Sequence, residues 1–245
     1  MAKNKDGETK QIDSLNYSPG DKIKVIARIS KESLKNYKEI VEESYGVIID
    51  RNNLTTKVEI LPRLQKEIID ECNKYGKPII ISGNILNSIT ENKQPLQSEI
   101  YDVSNAVLEG TSCLMLSHEN AIRKYPIEMI ETLSRVIKSS EVEQIPSLYN
   151  ANYNFTHFIG NAVSELEKNL RIDALIIITS GGYSARMISS RRLKCKTIAA
   201  TSNKKIFRQL NLLWGIEPLY VDINLEDISN NEKKEVILQA IKKGF

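Results

Sequence analysis

The sequence lacks a long apolar run, a large excess of either charge, and a secretory type of N-terminus. No run approaches the roughly 20 apolar residues of a membrane-spanning helix, and a net charge of +3 provides no basic stripe for nucleic acid. Residues 1–20 are polar and mix both charges, which predicts a disordered leader rather than a signal peptide. We therefore expect neither a membrane nor a nucleic acid as a partner.

Cysteine and histidine are also scarce. The three cysteines, Cys72, Cys113 and Cys195, lie far apart, and none belongs to a Cys-x-x-Cys pair with the spacing of metal ligands. The two histidines, His118 and His157, are separated by 38 residues and form no recognisable ligand set. This composition predicts reduced thiols, a cytoplasmic location and no metal site built on these side chains.

Short apolar runs alternate with amphipathic segments through the rest of the chain. The first four runs lie at residues 22–29, 46–49, 79–82 and 113–116. A parallel neighbouring strand needs a crossover helix, so four such units in series predict half of a (β/α)8 TIM-type barrel at residues 21–140. Residues 141–154 are polar and irregular, which predicts a linker. The alternation resumes at 155–245 and predicts a second α/β domain with a mostly parallel sheet.

Residues 77–126 carry the most informative pattern. Two apolar runs each end in polar residues, and the stretch includes Asp102-Val103-Ser104-Asn105-Ala106 and Lys124-Tyr125-Pro126. This stretch resembles the seventh and eighth strand–helix units of pyruvate kinase, and the similarity extends from about Lys22 to Phe245. The resemblance implies the second half of the family's barrel and most of its C-terminal domain. The family's potassium site and much of its nucleotide site lie in parts without a counterpart here.

Several reacting positions of the family carry other residues in this chain. The family's Lys-Ile-Glu corresponds to residues 28–30, so its phosphoryl-stabilising lysine is Arg28 and one magnesium-binding carboxylate is Ser30. Its Ala-Arg-Gly-Asp-Leu-Gly corresponds to Asp50 to Thr55, so the second magnesium carboxylate is Asn53, and a threonine near the enolate carbon is Gly83. An alcohol and an amide are weak replacements for two acids on a hard cation. We therefore expect no catalytic residue, no metal site and no cofactor.

A hydroxyl- and glycine-rich turn is the candidate ligand site. Its residues are Thr179, Ser180, Gly181, Gly182 and Ser184, between a predicted strand and a predicted helix. Backbone N–H groups in such a turn can bind an anion, and the equivalent loop of pyruvate kinases often receives a phosphate of a sugar-phosphate effector. A tight turn capped by Ser184, without any ligand, explains the same residues equally well.

These observations together predict a truncated, pyruvate kinase-like pseudoenzyme that acts as an oligomeric regulatory or scaffold subunit and binds a phosphorylated metabolite. A half-barrel exposes strand edges, so we expect a homo-oligomer, or a hetero-oligomer with a full-length pyruvate kinase. The alternative is an enzyme: one half of a split pyruvate kinase that transfers phosphate from phosphoenolpyruvate to ADP in glycolysis and needs Mg²⁺ and K⁺. A gene product without a selected role is a third possibility.

Overall fold

The computed structural model describes residues 2–3, 9–10, 24–54, 58–116, 124–142, 155–222 and 229–244. Near the N-terminus, β1 (Ala2–Lys3) pairs antiparallel with β2 (Thr9–Lys10). The rest of residues 1–20 lies outside the described residues, as do 143–154 of the predicted linker. The predicted disorder of the leader and the domain limits therefore stay predictions.

The first unit is a parallel sheet of four strands in sequence order. Its strands are β3 (Ile26–Ile29), β4 (Gly46–Asp50), β5 (Ile79–Ser82) and β6 (Cys113–Met115). The helices are α1 (Tyr37–Glu43), α2 (Leu61–Lys74), α3 (Gln97–Leu108) and α4 (Pro126–Glu141). Every neighbouring pair of strands is parallel, which confirms four β/α units with their carboxyl ends at one edge.

Branched apolar side chains on the strands form the core of this unit. One face of the strands packs Val47, Ile49 and Ile81 against Ile68 and Ile69 of α2, all at most 1% exposed. These positions alternate along each strand because successive side chains point to opposite faces of a sheet. The alternation fixes the register of the strands and hence the residues that reach the carboxyl edge.

The second unit is a separate parallel sheet of three strands, again in sequence order. Its strands are β7 (Ala174–Ile178), β8 (Lys196–Thr201) and β9 (Ile216–Tyr220). Its helices are α5 (Phe155–Asn169), α6 (Tyr183–Ser189), α7 (Lys204–Leu210) and α8 (Asn230–Gly244). The predicted α/β class with parallel sheets is confirmed for both units.

A buried arginine connects the two units. Arg192 is 3% exposed, donates to the carbonyl of Gly110 after α3, and donates to Oδ1 of Asn73 in α2 at 3.3 Å. Its guanidinium carbon lies 4.9 Å from the ring centroid of Trp214. The sequence predicts a solvated helix end for the basic run at 191–196, and for Arg192 this prediction is wrong.

The preceding arginine is buried as well. Arg191 is fully buried, and its Nη2 lies 3.3 Å from Nδ1 of His157 in α5. Burial and, next, the positive charge of Arg191 lower the pKa of His157. Within the part of the chain that the structure describes, no helix combines the length and apolar character needed to cross a bilayer.

Candidate functional site

The carboxyl ends of β3, β4 and β5 bring the predicted positions to one edge of the first sheet. Ile29 pairs with Ile49 and Asp50 pairs with Ser82, so the residues that follow these strands are neighbours. In barrels of this type, side chains at the carboxyl ends of strands form the active site. The sheet therefore gathers Arg28, Asn53 and Gly83 where chemistry is expected.

Arg28, Asp50 and Asn53 form a connected group at this edge. Oδ2 of Asp50 accepts a hydrogen bond from Nδ2 of Asn53 at 2.8 Å and lies 3.4 Å from Nη1 of Arg28. The side chain of Asp50 is 15% exposed, whereas that of Arg28 is 59% exposed. The carboxylate of Asp50 thus lies within ion-pair distance of the solvent-facing guanidinium of Arg28. Sequence reasoning missed Asp50 as a site residue, although its position at the end of a parallel strand was a usable signal.

Ser30 does not join this group through any described hydrogen bond. Its hydroxyl donates to Oε2 of Glu32 at 3.1 Å, and its N–H donates to Oγ of Ser33 at 2.9 Å. These bonds begin the 3-10 turn at Lys31–Asn36. The local role of Ser30 is therefore to start a turn directly after β3.

Arg51 ties the end of β4 to the rest of the unit. Its Nη1 and Nη2 donate to the two carboxylate oxygens of Asp102 in α3 at 2.7 and 2.8 Å, and its Nε donates to the carbonyl of Gly83 at 3.1 Å. The guanidinium of Arg51 pairs side by side with the carboxylate of Asp102, a two-bond geometry that favours arginine over lysine. Arg51 therefore fixes the turn Arg51–Asn53 relative to the end of β5.

Gly83 has a structural reason to be glycine. Its φ is +88°, and a Cβ added there would lie 2.9 Å from Oδ1 of Asn52, 3.0 Å from its Cγ and 3.0 Å from its backbone nitrogen. Backbone at this φ favours glycine, and contacts this short require the neighbour to move. The φ of Gly83 and the nearby backbone nitrogen of Asn52 therefore explain the glycine at position 83.

The loop at Thr179–Ser184 adopts the strand–turn–helix geometry that the sequence predicts. Oγ1 of the buried Thr179 accepts from the N–H of Gly182 at 2.9 Å, and Gly182, at φ +77°, precedes the first residue of α6. Ser184 lies inside α6, and no side chain caps the helix, so the expected cap by Ser184 is wrong. Ser180 and Gly181 are exposed. The ligand role of this loop stays a prediction.

Other candidate groups give no metal site of their own. Among residues 24–54, 58–116, 124–142, 155–222 and 229–244, no three His, Cys, Asp or Glu side chains come together in a metal-binding arrangement. His118 lies outside the described residues. All three cysteines are free thiols, and Cys72 is fully buried as a small core residue. Burial raises the pKa of the Cys72 and Cys113 thiols.

Two family models match the two units. The model described as pyruvate kinase, barrel domain, matches residues 4–130, and that described as pyruvate kinase, alpha/beta domain, matches residues 157–245. Both matches agree with the division of the strands into two sheets.

Relatives of similar sequence are also pyruvate kinases. Pyruvate kinase from Methanocaldococcus jannaschii is 36% identical over 253 residues, which cover 100% of this chain and 56% of that protein. Pyruvate kinase 2 from Synechocystis is 35% identical, covering 86% of this chain and 36% of that protein. For pyruvate kinase from Thermoplasma acidophilum the identity is 33%, with coverage of 95% and 44%. The chain thus spans about a third to just over half of these relatives' lengths.

These names correct two expectations. The prediction of a pseudoenzyme is wrong, because the relatives at 33–36% identity are named pyruvate kinase and point to enzyme activity. The prediction that no cofactor is needed is wrong for the same reason, because pyruvate kinases use Mg²⁺ and K⁺. Besides Ser30 and Asn53, the carboxylate of Asp50 lies at the same edge of the sheet. With both units matched, this chain belongs to the pyruvate kinase family.

Proposed function

We propose that this chain supplies the second half of a pyruvate kinase barrel and its C-terminal domain, and takes part in phosphoryl transfer from phosphoenolpyruvate to ADP. The observation that carries the proposal is the Arg28–Asp50 pair, which places a cation at the carboxyl edge of a family barrel unit. The proposed activity belongs to a complete barrel. A further polypeptide segment, in the same or a second chain, would supply the other strands and the lid.

The open edges of the first sheet support this need for a completing segment. Among the described residues, β3 and β6 are the outer strands, and each pairs with a single neighbour. Unpaired strand edges bind further strands, and a closed barrel removes them. The completing half would therefore pair with β3 on one side and β6 on the other. The three free thiols agree with the reducing cytoplasm in which we place this activity.

Arg28 has the chemistry that phosphoryl transfer requires. Such transfer depends almost entirely on positioning and on cations that offset charge on the phosphoryl oxygens. A guanidinium presents several N–H donors to these oxygens and keeps its charge at every physiological pH. Asp50 pairs with Arg28 and leaves 59% of the arginine side chain exposed to solvent. We assign Arg28 the contact with the phosphoryl group and Asp50 the positioning of Arg28.

The oxygen donors at this edge fit a magnesium ion that is held largely by substrate. Mg²⁺ in phosphate-transfer sites commonly takes one or two protein carboxylates, with water and substrate phosphates as the other ligands. Asp50 would provide the carboxylate, and the amide oxygen of Asn53 would add a neutral donor. When bound, the ion would polarise the phosphate and offset its charge. The family's potassium site belongs to the completing half.

The test is an assay of pyruvate formation. The chain is mixed with a first-half barrel and lid segment from a related pyruvate kinase, and given phosphoenolpyruvate, ADP, Mg²⁺ and K⁺. We expect pyruvate from the mixture and a loss of about 10²–10³-fold in kcat for Arg28→Ala, the size seen when one stabilising donor is removed. Arg28→Lys should retain more activity than Arg28→Ala. Arg63→Ala, at a residue whose side chain is 76% exposed on α2, is the matched control. No pyruvate, or activity indifferent to Arg28→Ala, would overturn the proposal.

A further inference from the structure

The amino edge of the first sheet carries two lysines and a tyrosine. Lys24, Tyr45 and Lys77 lie one or two residues before β3, β4 and β5. Because these strands are parallel neighbours, the residues that precede them lie at one edge, opposite to the edge that carries the candidate site. The N–H of Tyr45 donates to the carbonyl of Val25 at 2.8 Å, and Nζ of Lys24 lies 5.5 Å from the centroid of the Tyr45 ring. A lysine thus lies against this ring, with a second lysine on the neighbouring strand.

An arginine of the second unit reaches the same edge. The guanidinium carbon of Arg186, in α6, lies 5.2 Å from the centroid of the Tyr45 ring and 5.4 Å from that of the Tyr183 ring. The two backbones also approach closely here, because a Cβ on Gly76 would lie 3.3 Å from the backbone carbonyl carbon of Arg186. Gly76 directly precedes Lys77. We call this junction of the two units the seam; its residues are Lys24, Tyr45, Lys77, Tyr183 and Arg186.

The cations of the seam have no carboxylate partner in the described part of the chain. Lys24, Lys77 and Arg186 form no ion pair with an Asp or Glu there. Lys77 instead donates to two backbone carbonyls at the end of α1, at 3.0 and 2.6 Å. Burial and, next, the charge of Arg186 lower the pKa of Lys77, while the exposed Glu43 opposes this shift. The seam therefore carries an excess of positive charge from both units.

The guanidinium of Arg186 has hydrogen-bond donors that no described residue uses. Its Nε is buried without an acceptor, and its side chain makes no hydrogen bond within the described ranges. Contact with aromatic rings uses the faces of a guanidinium and leaves its N–H edge for an oxyanion. A buried donor without an acceptor is unfavourable, so an oxyanion bound to this edge would relieve the cost. Arg186 and Lys77 are half-buried and Lys24 is exposed, which leaves the seam reachable from solvent.

We propose that the seam binds a phosphate-type dianion, free or as a monoester, with Arg186 donating to its oxygens and Lys24 and Lys77 offsetting its charge. A guanidinium matches the geometry of phosphate oxygens, and a dianion suits a site with several cations better than a single carboxylate does. The ligand would touch both units and hold them together. The inference does not depend on the proposed function, because the seam lies at the opposite edge of the first sheet. It also uses none of the five residues of the candidate turn at 179–184.

The test is a titration of the full chain by calorimetry at pH 7.5 without Mg²⁺. The Arg28→Ala background removes the cation of the candidate active site. Inorganic phosphate and glycerol 3-phosphate are the probes, with chloride at matched ionic strength as the blank. We expect at least one probe to bind, and the tighter one identifies the source of the phosphate.

Two substitutions locate the binding site. Arg186→Gln should weaken binding about tenfold, the scale of one hydrogen bond between charged groups. Lys24→Ala should weaken binding about two- to fivefold, as expected for an exposed charge. Lys194→Ala, at an exposed cation outside the seam, is the matched control and should change nothing. Phosphate should also raise the urea midpoint of the background chain, and raise it less in the two seam variants.

Three results would overturn the inference. They are no binding of either probe, an affinity that is unchanged in both Arg186→Gln and Lys24→Ala, and binding that is lost in Ser180→Asp but kept in Arg186→Gln. The last result would place the anion at the candidate turn. If Arg186→Gln fails to fold, Lys24→Ala and Lys24→Glu decide, since Lys24 is exposed; the second should weaken binding more than the first, and unchanged affinity in both would refute the site. None of these results alters the expected outcome of the pyruvate assay.

Discussion

Replacing Arg192 with alanine tests whether a buried guanidinium joins the two α/β units. The side chain is 3% exposed and donates to Gly110 and Asn73 of the first unit. It also stacks on Trp214 at 4.9 Å. Arg192→Ala removes all of these contacts in one step.

The expected cost is about 4 kcal/mol. A desolvated cation–π contact contributes about 2 kcal/mol and a hydrogen bond to a charged donor about 1.5–3 kcal/mol. The sum is an upper limit, because Nδ2 of Asn73 also donates to the carbonyl of Gly110 at 2.9 Å and would still satisfy it in the variant. The loss should therefore fall in the lower half of the combined range.

Arg192→Gly provides the matched variant. The φ of Arg192 is +53°, a left-handed conformation that costs a non-glycine residue about 1–2 kcal/mol. Both variants lose the same side-chain contacts, but glycine also relieves this strain. Part of that gain is lost to the greater freedom of glycine in the unfolded chain. We expect Arg192→Gly to be more stable than Arg192→Ala by about 1 kcal/mol.

Urea unfolding measures both differences. Trp214 is the sole tryptophan, so its fluorescence reports on this contact, while circular dichroism reports on the whole chain. Lys194→Ala, at an exposed cation in the same run, should shift the midpoint by less than about 0.5 kcal/mol. An Arg192→Ala midpoint equal to that of the wild type would refute the role of the guanidinium. Equal stability of the alanine and glycine variants would refute the strain.

Three further predictions concern charge and thiol chemistry. Arg51→Ala should lower the free energy of unfolding in urea by about 2 kcal/mol, and Arg51→Lys by about half of that. The expected loss is modest because the side chain of Asp102 is 38% exposed, so solvent weakens the ion pair. An unchanged urea midpoint would contradict this prediction. Burial lowers the pKa of His157 in the folded chain. As the pH falls below about 6.5, this histidine therefore binds a proton in the unfolded chain before it does so in the folded chain. The free energy of unfolding should consequently drop between pH 7.5 and 5.5. His157→Gln should reduce this drop. A wild-type chain that is more stable at pH 5.5 than at pH 7.5 would contradict the prediction. Burial raises the pKa of Cys195 to about 11, so its thiol should react with iodoacetamide at pH 8 far more slowly than free cysteine, as mass spectrometry can show.

Local patterns explain why most of the fold was predictable. The buried strand β5 has four apolar or small residues in a row, and α2 repeats apolar residues at helical spacing before the glycine at position 76. These signals depend only on neighbours in the chain. The predicted first strand, by contrast, includes residues 24 and 25, which lie before β3 (Ile26–Ile29), while its residues 22 and 23 lie outside the described residues. Strand ends depend on pairing partners, which the sequence does not display.

Burial of the basic run could not be predicted in the same way. Arg191 and Arg192 are followed by further cations, a composition that usually indicates a solvated surface. For Arg192 the acceptors come from the first unit, 82 residues earlier in the chain for the carbonyl of Gly110. Arg191 instead contacts Ser190 and His157 of the second unit. Partners that far apart in the chain come together only in the tertiary structure, which a local pattern does not display.

At the candidate site, Gly83 departs from the family's threonine, and this departure alone suggests a loss. In the structure, the φ of Gly83 is +88°, and a Cβ there would lie 3.0 Å from the backbone nitrogen of Asn52. Both features disfavour any residue with a side chain, and neither depends on which side chain position 52 carries. The glycine therefore fits the backbone that this chain adopts after β5, a constraint that comparison with a family motif does not display.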